Sequence, residues 1–127
     1  MTGQDIRISS ADGGEFGAYL ATPDSGQGPG IVMLHEIFGV TRWIRETADL
    51  FAAQGYCVLA PEMFWRLEPD FVADFRIPEE RERGFRYRGL IDHDKAIEDI
   101  AASIERLKAL SQCNGKIGVT GFVPGAL

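Results

Sequence analysis

An unbroken apolar run, Gly30-Ile-Val-Met-Leu34, ends abruptly in His35-Glu36 and is followed by Ile37-Phe-Gly39. A continuous apolar run bounded by Gly and Pro reads as a strand buried on both faces, as strands inside a parallel sheet are. Its carboxyl end carries a charged pair and then a loop containing Gly39. In open α/β sheets, sites form outside the carboxyl ends of such strands. This stretch therefore constrains the fold and marks the first place to look for chemistry.

The segments around it agree. Residues 5–10 alternate apolar and polar, as a half-exposed strand does, and Asp12-Gly13-Gly14 marks a turn. Residues 15–22, with Phe16, Ala18 and Leu20 on one face, complete an antiparallel hairpin at a sheet edge. Residues 41–54 read as a helix with Thr41 at its start, Gly55 at its end and Ile44, Ala48 and Phe51 on one face, flanked by Leu50 and Ala52. Tyr56 to Ala60 is a short strand closed by Pro61, so the unit is strand-helix-strand and its strands are parallel.

Residues 61–78 are irregular and aromatic-rich, and residues 79–88 form a charged helical piece. Over residues 92–110, Ile97, Ile100, Ile104 and Leu107 recur at spacings of three and four, which predicts a helix with those side chains inward. Asn114-Gly115 reads as a turn before a third parallel strand, Lys116 to Thr120. The fold class is α/β, with a mostly parallel sheet and an antiparallel N-terminal hairpin.

At 127 residues the chain is one domain's worth of sequence, and a net charge of −6 argues against nucleic acid or an anionic membrane as partner. No apolar run approaches the roughly 20 residues a membrane helix needs. Two cysteines are too few for a disulfide scaffold, and without a signal peptide the expected setting is cytoplasmic.

His35-Glu36 invites a zinc reading, but the H-E-x-x-H pattern would need histidine where Gly39 stands, so no metal is expected. Two readings stay open for the pair: a partly solvated strand end, or a carboxylate held beside a nucleophile. The second signal is Gly121-Phe-Val-Pro-Gly125, directly after the last strand. Strand followed by G-x-nucleophile-x-G is the nucleophile elbow of α/β-hydrolases, and the central position here is Val123.

With Ile31-Val-Met-Leu-His-Glu-Ile-Phe-Gly39, Arg45-Glu-Thr-Ala48, Gly55-Tyr-Cys-Val-Leu-Ala-Pro61 and Lys116-Ile-Gly-Val-Thr-Gly-Phe122, the chain resembles the N-terminal half of dienelactone hydrolases, the carboxymethylenebutenolidase family. The resemblance implies that residues 1–127 are the first half of one α/β-hydrolase domain. It implies hydrolysis of a lactone or carboxylic ester, through a covalent acyl-enzyme formed by a Cys-His-Asp triad without metal or other cofactor. Glu36 would contact and help activate the nucleophile. The backbone N–H of Ile37 would be one oxyanion donor, Val123 would occupy the nucleophile position, and Pro124 the second donor position.

Here the chain departs from the family. Val123 carries no nucleophilic atom, and Pro124 has no N–H to donate. The family order is nucleophile, acid, histidine; neither acid nor histidine follows Val123, and His35 and His93 precede it. The expectation is a truncated or inactive copy. The alternative, from a different class, is a noncatalytic module that pairs or self-associates through the unpaired edge of strand 116–120.

Other residues carry weaker signals. Arg81, Arg83, Arg86 and Arg88 read either as a solvated helix face balanced by glutamates or as a clamp for a substrate carboxylate, with Arg81 the first choice. Phe64 and Trp65 are either core or pocket lining. Cys57 reads as a buried hydrophobe and Cys113 as a loop residue away from the elbow.

Overall fold

The computed structural model describes residues 3–24 and 26–121. Five strands, β1 (Gln4–Ser9), β2 (Glu15–Ala21), β3 (Gly28–Leu34), β4 (Cys57–Pro61) and β5 (Cys113–Gly121), form one sheet in the order β1-β2-β4-β3-β5. Three helices complete the described chain: α1 (Arg42–Ala53), α2 (Pro78–Leu90) and α3 (His93–Lys108). β3 runs parallel to β4 and β5, and the β1–β2 hairpin joins β4 antiparallel. Among the described residues no helix is long and apolar enough to cross a membrane.

The side-chain alternation of the strands divides the interior into two layers. Val32, Cys57 and Leu59 face one way and pack with Leu107 of α3. Their neighbours Met33, Val58 and Ala60 face the other way and pack with Ile44, Ala48 and Ala52 of α1. β2 joins both layers: Phe16, Ala18 and Leu20 lie on the α3 side, Tyr19 and Ala21 on the α1 side. Phe16, Ala18 and Leu20 thus share one face as expected, and the opposite face of β2 is buried too. The strand sits second from the edge, with cover on both of its faces.

α1 begins where the side chain of Thr41 accepts the N–H of Ile44, and it ends before Gly55, whose φ of 104° supplies the left-handed exit. Leu50 is exposed, so the buried ridge runs Ile44, Ala48, Ala52. α2 opens with Pro78, carries Glu79 and Glu80 in its first turn and Arg88 in its last, each matched to the helix dipole. Its buried residue is Gly84.

Two local expectations are corrected in part. The helix over 92–110 is present as α3 with Asp92 as its cap, and Leu107 and Ile104 pack on the core as expected, but the buried ridge is completed by Asp99 and Ser103. Ile97 is 64% exposed, because Asp99, two positions on, points inward and finds polar partners there. Asn114-Gly115 is not a turn before the strand but a bulge within it. Gly115 has φ 89°, Asn114 Oδ1 takes the N–H of Lys116, and the pairing with β3 shifts register between Gly28 and Gly30.

Candidate active site

β3 stops at Leu34, and His35 to Val40 leave the carboxyl end of the sheet before α1 begins. His35 is 8% exposed, so the partly solvated strand end is corrected for this residue. Its Nε2 accepts the N–H of Met63 at 2.8 Å. With Nε2 an acceptor, Nδ1 carries the proton and donates to the carbonyl of Glu36, its other contact. Burial outweighs the opposing effect of that carbonyl, pushes the ring pKa down to about 4 and keeps the imidazole neutral at ordinary pH. The edge of the ring packs against Phe64, with centroids 5.1 Å apart.

The loop is clamped from three further sides. The Glu36 carbonyl also takes the N–H of Gly39 at 3.4 Å. Gly39, at φ 85°, forms an isolated antiparallel bridge with Val72, and a side chain there would run into the carbonyl of Phe71. The carbonyl of Phe38 accepts the N–H of Ala73 at 2.9 Å. From above, Gly84 brings α2 so close that a β-carbon would collide with the carbonyl of Ile37. Beneath α2, Phe64, Phe71 and Tyr87 form a small aromatic cluster that also holds Phe38. Phe71 and Tyr87 meet edge-on at 5.0 Å, and the Tyr87 hydroxyl donates to Glu68 at 2.6 Å.

Glu36 opens onto a groove of about 410 Å³ whose walls include Phe38, Trp43, Val72 and Phe75. Burial raises its carboxyl pKa, because charge is less well solvated there. Ile37 is buried, and among the described residues no acceptor takes its N–H. An unpaired buried N–H is rare and points to an acceptor outside the described residues. A proton acceptor beside such a donor can deprotonate a nucleophile and stabilise an oxyanion.

Of the residues that the sequence marks, Glu36 and Ile37 are brought together here. Arg81 is exposed on α2; its guanidinium donates to the carbonyl of Phe75 at 2.6 Å, one residue removed from the groove. Val123 and Pro124 lie outside the described residues. Cys57 is buried in β4 and its thiol donates to the carbonyl of Gln112, while Cys113 opens β5 and is buried rather than in a loop. Phe64 is buried and Trp65 partly buried, stacked on Phe16. Sequence reasoning missed Gly84 and Met63. Gly84 had a signal, a glycine inside a charged helix, which often marks close backbone approach; the backbone of Met63 had none.

The family model described as the dienelactone hydrolase family matches residues 16–127. Carboxymethylenebutenolidase 1 of Cupriavidus pinatubonensis is 34% identical over 125 residues, covering 98% of this chain and 53% of the relative. The carboxymethylenebutenolidase of Pseudomonas putida is 32% identical over 125 residues, with the same coverage of 98% and 53%. This chain spans about half the length of these relatives. Among solved structures, a dienelactone hydrolase-like promiscuous phosphotriesterase from metagenomic libraries superposes with a TM-score of 0.67 at 24% identity, covering 96% of this chain and 50% of that one. The α/β-hydrolase GrgF of Penicillium sp. sh18 superposes at 0.70 with 17% identity, covering 96% and 38%. At those identities the two structures speak for the fold alone.

Proposed function

The chain belongs to the dienelactone hydrolase family, and from that premise we propose that it forms the N-terminal half of an α/β-hydrolase domain that cleaves small esters or lactones. It contributes the activating carboxylate, Glu36, and one oxyanion donor, the N–H of Ile37. The observation that carries this reading is the pairing of a partly buried carboxylate with a buried N–H that no described residue takes, at the carboxyl end of β3.

Leu34 pairs with Gly121, so Glu36 and position 123 each stand two residues beyond the last matched pair. A nucleophile at that position would pass its proton toward Glu36 as it attacks the carbonyl carbon. The carbonyl oxygen would take on negative charge, and the Ile37 N–H would meet it. Arg81, tied to the Phe75 wall of the groove, is the proposed contact for an anionic substituent on the substrate.

Val123 supplies no nucleophile and Pro124 no second donor. These 127 residues by themselves should therefore hydrolyse 4-nitrophenyl acetate no faster than a heat-treated control. Turnover that disappears in Glu36→Ala but persists in a surface variant away from the groove such as Lys108→Ala would overturn the inactive half of this reading.

A second reading, an interaction module, is favoured by one observation. β5 ends the sheet, its outer edge meets no other strand among the described residues, and Val119 on it is 49% exposed. Sedimentation velocity over a range of concentrations tests it. Association that Val119→Lys abolishes supports pairing through this edge, and a monomer at every concentration rejects it.

A further inference from the structure

We propose that His35 is a positioning residue that aims the Ile37 N–H into the site by holding the carbonyl of the same peptide unit. The inference rests on the proposed role of Ile37 and adds to it the device that fixes the donor's direction.

The imidazole Nδ1–H donates to the Glu36 carbonyl. No peptide bond among the described residues is cis, so in the unit joining Glu36 to Ile37 the N–H points opposite to that carbonyl. Holding the carbonyl against His35 therefore turns the N–H away from the histidine, where no acceptor among the described residues meets it. If the peptide flipped, the N–H would point at the imidazole and the oxyanion would meet a carbonyl oxygen, which repels it.

The ring is itself set. The N–H of Met63 occupies Nε2, which forces the Nδ1–H tautomer that the carbonyl needs. Phe64 packs edge-on against the ring and burial keeps it neutral, so a second ring proton does not displace Met63 at ordinary pH. On the far side of the loop, Gly84 leaves room for the Ile37 carbonyl. The backbone on both sides of the donor is thereby restrained.

The test uses the full 127-residue chain, labelled with ¹⁵N, and benzoate as a carboxylate probe of the donor. Three variants separate the two hydrogen bonds of His35. In His35→Asn the side-chain NH₂ replaces Nδ1 and keeps the bond to the Glu36 carbonyl. In His35→Gln the amide oxygen replaces Nε2 and keeps only the bond from Met63. His35→Phe keeps neither.

The expected result is a saturable benzoate shift of the Ile37 amide resonance in the wild type, retained in His35→Asn. In His35→Gln and His35→Phe the apparent affinity should fall about tenfold, the scale of one hydrogen bond to a charged group. Long-range ¹H–¹⁵N correlations should show His35 protonated at Nδ1. A general structural role would weaken all three variants alike. Should His35→Phe fail to fold, the contrast between Asn and Gln decides. A response equally strong in the Gln variant, or lost in the Asn variant, or a wild-type ring protonated at Nε2, would overturn the positioning role and leave the site reading standing. An Ile37 amide indifferent to benzoate in the wild type would overturn the site reading, and this inference with it.

Discussion

The two helices that cover the sheet each bury an aspartate, and they do so in opposite ways. On the α1 side, Asp49 takes the hydroxyl of Tyr19 at 2.8 Å, a single bond between one helix and one strand. On the α3 side, Asp99 is 2% exposed and takes Trp65 Nε1–H at 2.9 Å and Arg66 Nη2 at 2.8 Å. Arg66 continues to Asp12 and Ser10 in the hairpin turn, lies 4.4 Å over the ring of Trp65, and Lys95 of α3 closes on Asp12 at 3.5 Å. One aspartate joins two elements through a neutral partner. The other ties a helix, a turn and the connection after β4 into one charged network. A buried charge that anchors several segments is costlier to break than a buried hydroxyl pair.

The largest effect is expected from Asp99→Ala, which leaves Arg66 and Trp65 Nε1 without their buried acceptor. A loss of about 3–5 kcal/mol is expected from breaking one side of a buried ion pair, measured by urea unfolding. If Asp99→Ala costs no more than the Tyr19 change below, the two faces are equivalent and the contrast is wrong. Acid comes next and tests the loop that both faces share. Unfolded histidine titrates near 6.5, whereas folded His35 is held down to about 4. Above 6.5 both states are neutral and stability is complete. As pH falls from 6.5 toward 4 the unfolded chain gains a proton that the folded chain refuses. Stability then drops by about 1.4 kcal/mol per pH unit, on the order of 3 kcal/mol in all. The unfolding midpoint of wild type and His35→Asn across that range isolates this contribution from the carboxylates.

Tyr19→Phe should cost less, about 1–2 kcal/mol, since it removes one hydrogen bond and leaves Asp49 without that donor. The pair also has its own pH behaviour. Desolvation first, and Asp49 second, raise the Tyr19 pKa from 10 to about 12. Its stabilisation is therefore complete below 10 and is lost as pH rises toward 12, and Tyr19→Phe should remove that alkaline step from the unfolding profile. Thr41→Ala, which deletes the cap of α1 and touches neither aspartate, should be smallest, about 1 kcal/mol. A Thr41 effect above that of Tyr19→Phe would mean that the α1 face depends on helix ends more than on its buried pair.

Element type and order were legible in the sequence because helices and strands both leave their period in the apolar residues. Glu36 stood out as well, because the polar pair His35-Glu36 interrupts an apolar run where a buried strand emerges from the sheet, whereas Ile37 was marked only by the family resemblance. The inward face of α3 was not legible. Periodicity counts isoleucines, and Asp99 and Ser103 face inward only because partners 33 residues away at Arg66, and within the helix at the Asp99 carbonyl, satisfy them. Asn114-Gly115 misled for a related reason. The same dipeptide serves a turn or a bulge, and the choice is made by β3, which is remote in sequence. The two bonds of His35 were hidden because both go to backbone atoms, which side-chain patterns do not encode.

The strict alternation of β3 and β4 between the two layers has a consequence for mutational change. Val32 and Leu59 belong to one layer, Met33 and Val58 to the other, and the two groups are separated by the backbone plane of the sheet. Substitutions in one layer should combine additively with those in the other, while pairs within a layer should couple. The interior is then two independent inheritances on one scaffold: the α1 layer can drift or be redesigned while the α3 layer, with its charged network, holds still.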